Sequence, residues 1–283
     1  MPRPNASSRV RRNRSPRTRT RVAASRVTRG PACEGRVAGD APCYGASRTV
    51  PIKTLGLIGG ITWLSTVEYY RAINQQVSAR LGGHHSAKII LYSVDFAEFQ
   101  PPAPDDEVGW ADIARRFGEA AARLEDAGAE GLVMCANTPH KVAPAIRSRT
   151  RVPLVHIAEA AAAAVAARGI DRVALLGTRP TMEAAFYPEL LCARGVETMV
   201  PDPDDRAWIH GPIFAELTQG VFTDATRARY IAVIEQLVAR GAKGVVLGCT
   251  EIPLLLREGD CCVPTFDTTL LHVGAAVDFA LSG

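Results

Sequence analysis

An α/β fold with parallel sheets, built twice within one chain, is what this sequence predicts. Short apolar runs alternate with helix-length amphipathic segments from about residue 51 onward, the pattern of buried parallel strands covered by helices. A repeat supports the doubling. Gly128-Ala129-Glu130-Gly131-Leu132-Val133-Met134-Cys135-Ala136-Asn137-Thr138 returns, at a constant offset of 113 (241 − 128), as the stretch from Gly241 to Glu251. Likewise, Thr54 to Gly60 is echoed by Arg172 to Thr178, with Gly177 matching Gly59 at an offset of 118 (177 − 59). Two such passages imply two similar α/β domains. The expected division is 51–157 plus 268–283 for the first and 158–267 for the second.

Residues 1–50 are set apart by composition. They hold 12 arginines against only Glu34 and Asp40, with no apolar periodicity, so they are expected to be disordered. Their acid-poor, Arg/Ser-rich character is that of a mitochondrial transit peptide or of a dispensable tail with a mis-set start. Folded sequence starts near Pro51. Lys53 to Ile58 is a short apolar strand ending in Gly59-Gly60, and Thr66 to Leu81 has helical spacing through Val67, Tyr70, Ile73, Val77 and Leu81. Ala87 to Val94 is a strand with Asp95 at its carboxyl end, followed by a helix over about 108–127. Gly131 to Met134 is the third strand, 141–149 a helix, Pro153 to Ile157 the fourth strand, and a long alanine-rich helix ends near Gly169.

The second passage opens with the strand Arg172 to Gly177 and a helix over 181–194. A short strand (197–200) and an Asp/Pro turn (201–205) lead to helices over 208–219 and 225–240. After the strand that ends at Gly248, Cys262 to Phe266 is a last strand and Thr268 to Leu281 a closing helix.

Composition excludes several function classes. Beyond residue 50 the chain has 21 basic and 27 acidic residues, so it offers no basic stripe for nucleic acid. No uncharged apolar run reaches membrane-spanning length. Seven cysteines without framework spacing suit free thiols in a reducing, cytoplasmic setting. No ligand spacing indicates a metal, and the glycines do not form a dinucleotide or phosphate-loop fingerprint.

In open parallel sheets ligands bind beyond the carboxyl ends of the strands. Gly59-Gly60, Asp95, Ala136-Asn137-Thr138, Gly177-Thr178 and Cys249-Thr250 all fall there. A pseudo-twofold pairing of the domains places both sets around one interdomain cleft. Gly59 and Gly60 would let backbone N–H groups approach an anion. Cys249, at a strand end where a helix opens, is expected to have a lowered thiol pKa and to serve as base or nucleophile. Asn137, Thr138, Thr178 and Thr250 are candidate ligand donors, Asn and Thr also being good helix caps. His140 can titrate near neutrality or orient the Asn-Thr loop, and Arg179 is a candidate partner for a substrate carboxylate. Glu251 completes the set.

The stretches Gly-Leu-Ile-Gly-Gly-Ile-Thr-Trp-Leu-Ser-Thr (56–66), Asn-Thr-Pro-His (137–140), Leu-Gly-Thr-Arg-Pro-Thr-Met (176–182) and Gly-Cys-Thr-Glu-Ile (248–252) resemble the aspartate/glutamate racemase superfamily. The resemblance covers about residues 52–283 and is closest to the bacterial broad-type amino-acid racemases. It implies two flavodoxin-like halves, a site between them that needs no cofactor, and a homodimer. It also implies two facing acid/base residues, one from each half. The second-half residue falls on Cys249. The first-half residue falls on Ala136, which has no proton to exchange.

Three expectations follow. The first is a racemase of aspartate- or glutamate-like amino acids using Cys249 with a substitute acid opposite: Cys135, Thr138, His140 or a water. Cys135, one residue early, is expected to aim at the opposite face of the strand. The second is a single-cysteine decarboxylase or isomerase of the same superfamily. The third is a catalytically silent protein that binds a dicarboxylate or amino acid.

Overall fold

The computed structural model of the chain describes residues 51–283, except Pro104 and Glu258. The expectations for residues 1–50 lie outside the described residues. In chain order the first passage comprises β1 (Leu55–Gly59), α1 (Trp63–Leu81), β2 (Ile89–Ser93), α2 (Glu107–Asp126), β3 (Gly131–Met134), α3 (Ala143–Arg147), β4 (Leu154–Val155) and α4 (Ile157–Ala167). The second comprises β5 (Arg172–Gly177), α5 (Arg179–Glu183), α6 (Phe186–Cys192), β6 (Glu197–Met199), α7 (Pro203–Ala215), α8 (Asp224–Ala239), β7 (Val245–Gly248), α9 (Ile252–Leu255), β8 (Thr265–Asp267) and α10 (Thr268–Leu281).

These strands build two four-stranded sheets, ordered β2-β1-β3-β4 and β6-β5-β7-β8. Every pairing is parallel. The order is the same in both, and so is the register: Ile58 pairs with Met134 as Leu176 pairs with Leu247, their counterparts at offsets 118 and 113. The sequence repeat is therefore a repeat of hydrogen-bonded positions. It gives two flavodoxin-like units, with each sheet's central strands apolar on both faces because helices cover both. All residues of β1, β3 and β7 are buried.

Packing follows strand alternation. In β3 and just beyond, Leu132 and Met134 join α2 through Trp110, Ile113 and Phe117. Val133 and Cys135 face the other way, toward Tyr69 and Ile73 of α1 and Val273 and Val277 of α10. The closing helix thus packs on the first sheet, while α4 joins the second through Ala158, Ala161 and Val165 against Val173 and Val246. Truncating a fully buried side chain such as Leu57 is expected to cost about 2–5 kcal/mol.

The paired ends of β5 and β7 need glycine for close approach. A Cβ on Gly177 would stand 2.6 Å from the Gly248 carbonyl oxygen, and one on Gly248 would stand 2.9 Å from that of Leu176. Gly60 turns the chain after β1 with φ +93°, where a Cβ would meet the Val94 carbonyl at 2.2 Å.

Several elements differ from the expectation. The helix foreseen over 181–194 is two, because Ala184 takes an extended conformation with ψ 152°. That foreseen over 141–149 is a 3₁₀ turn (Thr138–Val142) followed by α3. α7 starts at Pro203, five residues early, since proline suits a first helical turn. Among the described residues no helix is long and apolar enough to cross a membrane.

Candidate active site

The loops after β3 and β7 face one cavity. Ala136, Asn137 and Thr138 line it from the first, and Cys249, Thr250 and Glu251 from the second. Thr178, after β5, Thr62 from the start of α1 and Thr218, just after α7, add to this polar lining. Equivalent ends of three strands thus meet, as the open-sheet rule requires.

Glu251 is the electrostatic centre. It is 4% exposed, yet its carboxylate accepts from three side chains. Cys249 Sγ donates to Oε2 at 3.0 Å, Thr250 Oγ1 donates to Oε2 at 2.6 Å, and Thr62 Oγ1 donates to Oε1 at 3.3 Å. These bonds satisfy a buried charge that would otherwise be costly. Cys249 behaves opposite to expectation: burial, then the negative charge of Glu251, push its thiol well above the ordinary range. The helix expected to lower it is only the four residues of α9, too short to offset desolvation. Both causes favour the protonated thiol at Cys249.

Asn137 is a brace. The Tyr187 hydroxyl donates to its Oδ1, and its Nδ2 donates to Thr268 Oγ1 at 3.1 Å, which in turn donates to the Leu247 carbonyl at 2.8 Å. The amide fixes the first loop to α6, α10 and β7 in one network. Thr138 Oγ1 lies 2.7 Å from Thr178 Oγ1 and 3.2 Å from Thr181 Oγ1, with 3.0 Å between the latter two. Three hydroxyls from both halves so form one hydrogen-bonded cluster.

Of the three side chains considered as partners for Cys249, Thr138 alone lines the cavity. Cys135 is wholly buried in the core between α1 and α10, where burial raises its thiol. His140 points elsewhere. Its Nδ1 donates to the Ala136 carbonyl at 2.9 Å, and its ring meets those of His156 and His272 edge-on at 4.6 and 5.4 Å. Burial, then His156 and His272, depress its pKa well below the ordinary value. It orients the loop by holding the carbonyl of Ala136, and it faces a separate hollow bordered by His156 and Phe186.

Four of the other expected site residues, Gly59, Gly60, Asp95 and Arg179, are placed away from the cavity. The Gly60 N–H is taken by Thr66 Oγ1 at 2.7 Å, so it is not open to an anion, and neither Gly59 nor Gly60 is a wall. Arg179 is exposed and pairs with Glu183 at 3.1 Å, because position one of α5 faces outward. Asp95 caps the turn after β2 through the Ala97 N–H at 3.0 Å.

Sequence reasoning missed Thr62 and the whole apolar lining. Thr62 stands two residues after Gly60 and accepts from Ser65 N at 3.4 Å as a helix cap, a signal that the Thr-x-x-Ser spacing carries. The apolar walls come from α2, α7 and the loop 96–101. Among the described residues no group of three or more His, Cys, Asp or Glu side chains is placed to hold a metal ion.

The Asp/Glu/Hydantoin racemase family model matches residues 58–276. A crystal structure from Yersinia pestis, of a protein provisionally described as an Asp/Glu racemase, superposes with TM-score 0.75 at 48% identity, covering 82% of this chain and all of that one. An aspartate racemase homologue from Pyrococcus horikoshii OT3 has TM-score 0.70 at 33% identity, with the same coverage of both chains. The broad specificity amino-acid racemase RacX of Bacillus subtilis is 24% identical over 58% of this chain and 71% of its own length.

Proposed function

The chain belongs to the Asp/Glu/Hydantoin racemase family, and from that premise we propose that it is an amino-acid racemase that moves the α-proton with Cys249. The observation that carries this reading is the Cys249 thiol on the cavity wall, held 3.0 Å from Glu251 Oε2. Racemisation requires a base that removes the α-proton and an acid that returns one to the opposite face. The thiol passes its proton to Glu251 Oε2, the thiolate takes the α-proton, and a planar carbanion remains. In the reverse direction the thiol protonates that carbanion. Such general acid–base steps typically contribute 10²–10⁴-fold each.

On the other wall, Ala136 provides no proton. Thr138, joined to Thr178 and Thr181, is the group in a position to hold a water there or to exchange a proton through the hydroxyl cluster. The backbone of the loops after β3 and β7, with the Thr hydroxyls, would receive the α-carboxylate.

A second reading is favoured by the same two residues. A thiol that holds its proton, facing an alanine, suits protonation of a carbanion from one side only, as in a single-cysteine decarboxylase. The experiment that separates them is incubation of an L-amino acid with the protein in D2O. Racemisation yields the D-enantiomer carrying α-deuterium, whereas release of CO2 from a substituted malonate without amino-acid exchange supports the second reading.

A further inference from the structure

We propose that the substrate carries an apolar group on its α-carbon, an aromatic or branched aliphatic side chain, and not a second carboxylate. This rests on the racemase reading above for the identity of the reacting carbon. The polar walls of the cavity are the loop residues at the strand ends and Thr62, together with Thr218, whose hydroxyl is already given to the Phe214 carbonyl at 3.1 Å, and most of the rest is hydrocarbon. On α2, Trp110, Ile113 and Phe117 recur at i, i+3 and i+7 and present one face to it. The loop after β2 adds Phe96 and Phe99, and α7 adds Phe214. Phe96 and Phe214, one from each half, stack with ring centres 6.4 Å apart and planes 9° apart. Phe99 meets Phe117 edge-to-face at 5.3 Å. Offset and edge-to-face rings of this kind form a surface that accepts another ring or a branched chain.

Among the described residues no lysine, arginine or histidine is one of the cavity's walls. The nearby cations rest on the aromatic rings: Lys141 Nζ lies 4.0 Å from the Trp110 ring centre, and the Arg116 guanidinium 5.8 Å from that of Phe99. Among the described residues the one charged wall is Glu251, whose carboxylate already accepts from Cys249, Thr250 and Thr62. A side-chain carboxylate would exchange water for rings and face a like charge, without a cationic partner. An apolar side chain loses nothing by leaving water there and gains the burial. One carboxylate, on the α-carbon, can be held by the threonine hydroxyls and loop amides; a second has no receiver.

The test compares phenylalanine and leucine with aspartate and glutamate, each as both enantiomers, by two readouts on the wild-type protein. One is α-deuterium incorporation in D2O; the other is protection of Cys249 from alkylation by iodoacetamide, which reports occupancy without turnover. Phenylalanine or leucine is expected to exceed aspartate and glutamate by on the order of 100-fold in kcat/KM and to protect at lower concentration. Aspartate or glutamate matching or exceeding them in either readout overturns the proposal, and so does protection by none of the four. Protection by phenylalanine or leucine without deuterium incorporation leaves the apolar class standing and removes the racemase reading. Phe214→Arg, at a half-buried position on this wall, is expected to bring the preference for apolar over acidic amino acids down by at least 10-fold. Phe214→Leu should keep the wild-type preference. An unchanged preference in a Phe214→Arg protein that melts like wild type would contradict the role of this wall.

Discussion

Cys249 donates its thiol hydrogen to Glu251 Oε2 at 3.0 Å, although the two are separated by a single residue and both are buried. The contact favours a thiol beside a carboxylate, in a buried place where a thiolate would sit next to negative charge.

Replacing Glu251 by Gln should therefore have two effects of opposite appearance. The thiol pKa falls, since the second cause of its elevation is removed, but stays above the ordinary value because burial remains. Iodoacetamide alkylation measured against pH would show the midpoint moving to lower pH. Meanwhile α-proton exchange should drop by about 10²-fold, because the acceptor for the thiol proton is gone. Faster alkylation with unchanged exchange would remove Glu251 from the proton path.

Ala136 and Cys249 sit on the same cavity from the two halves, and alanine is inert there. Ala136→Thr or Ala136→Cys places an exchangeable proton opposite the thiol. Racemisation is expected to rise by on the order of 10-fold or more, measured as D-enantiomer formed per unit time on a chiral column. No rise in a folded variant would mean that Thr138 or its water already does this work.

The histidine cluster predicts acid sensitivity. His156 and His272 are held down to about 4, and His140 well below its ordinary value, burial being the largest cause in each. In the unfolded chain these rings protonate near 6.5, so between about 6.5 and 4 the unfolded state binds more protons. Stability is fully present above that window and is lost as pH falls through it, by up to about 1.4 kcal/mol per pH unit for each ring. Urea unfolding at pH 7 and pH 5 measures it. His156 also caps α4 by accepting from the Ala158 N–H at 3.2 Å, a role Asn performs well. His156→Asn should reduce the pH slope by about one proton while preserving the helix.

How much of this was legible in the sequence differs between backbone and cavity. The offsets of 118 and 113 relating Gly59 to Gly177 and Gly131 to Gly244 appear in the structure as equal strand register, because a repeat of buried strands has to keep its hydrogen-bond partners. Alternation along β3 put Cys135 behind the sheet for the same reason. Arg179 and Gly60 misled, since position at a strand end does not say which way a side chain points or whether an N–H is already taken. The aromatic lining was hidden more deeply. Trp110, Ile113 and Phe117 on α2 carry the spacing of any core-facing helix, and only their meeting with Phe214 from 97 residues later (214 − 117) turns a core face into a cavity wall. Thr62 was within reach through its capping position, but its bond to Glu251 spans 189 residues.

The most direct test of the central claim is the α-deuterium exchange rate of the wild-type protein against Cys249→Ser, using phenylalanine, leucine, aspartate and glutamate in D2O and confirming equal melting temperatures. Cys249 as the acid/base predicts that wild type exchanges at least one of them and that the serine variant is slower by about 10³-fold or more. Exchange by Cys249→Ser at the wild-type rate would contradict it.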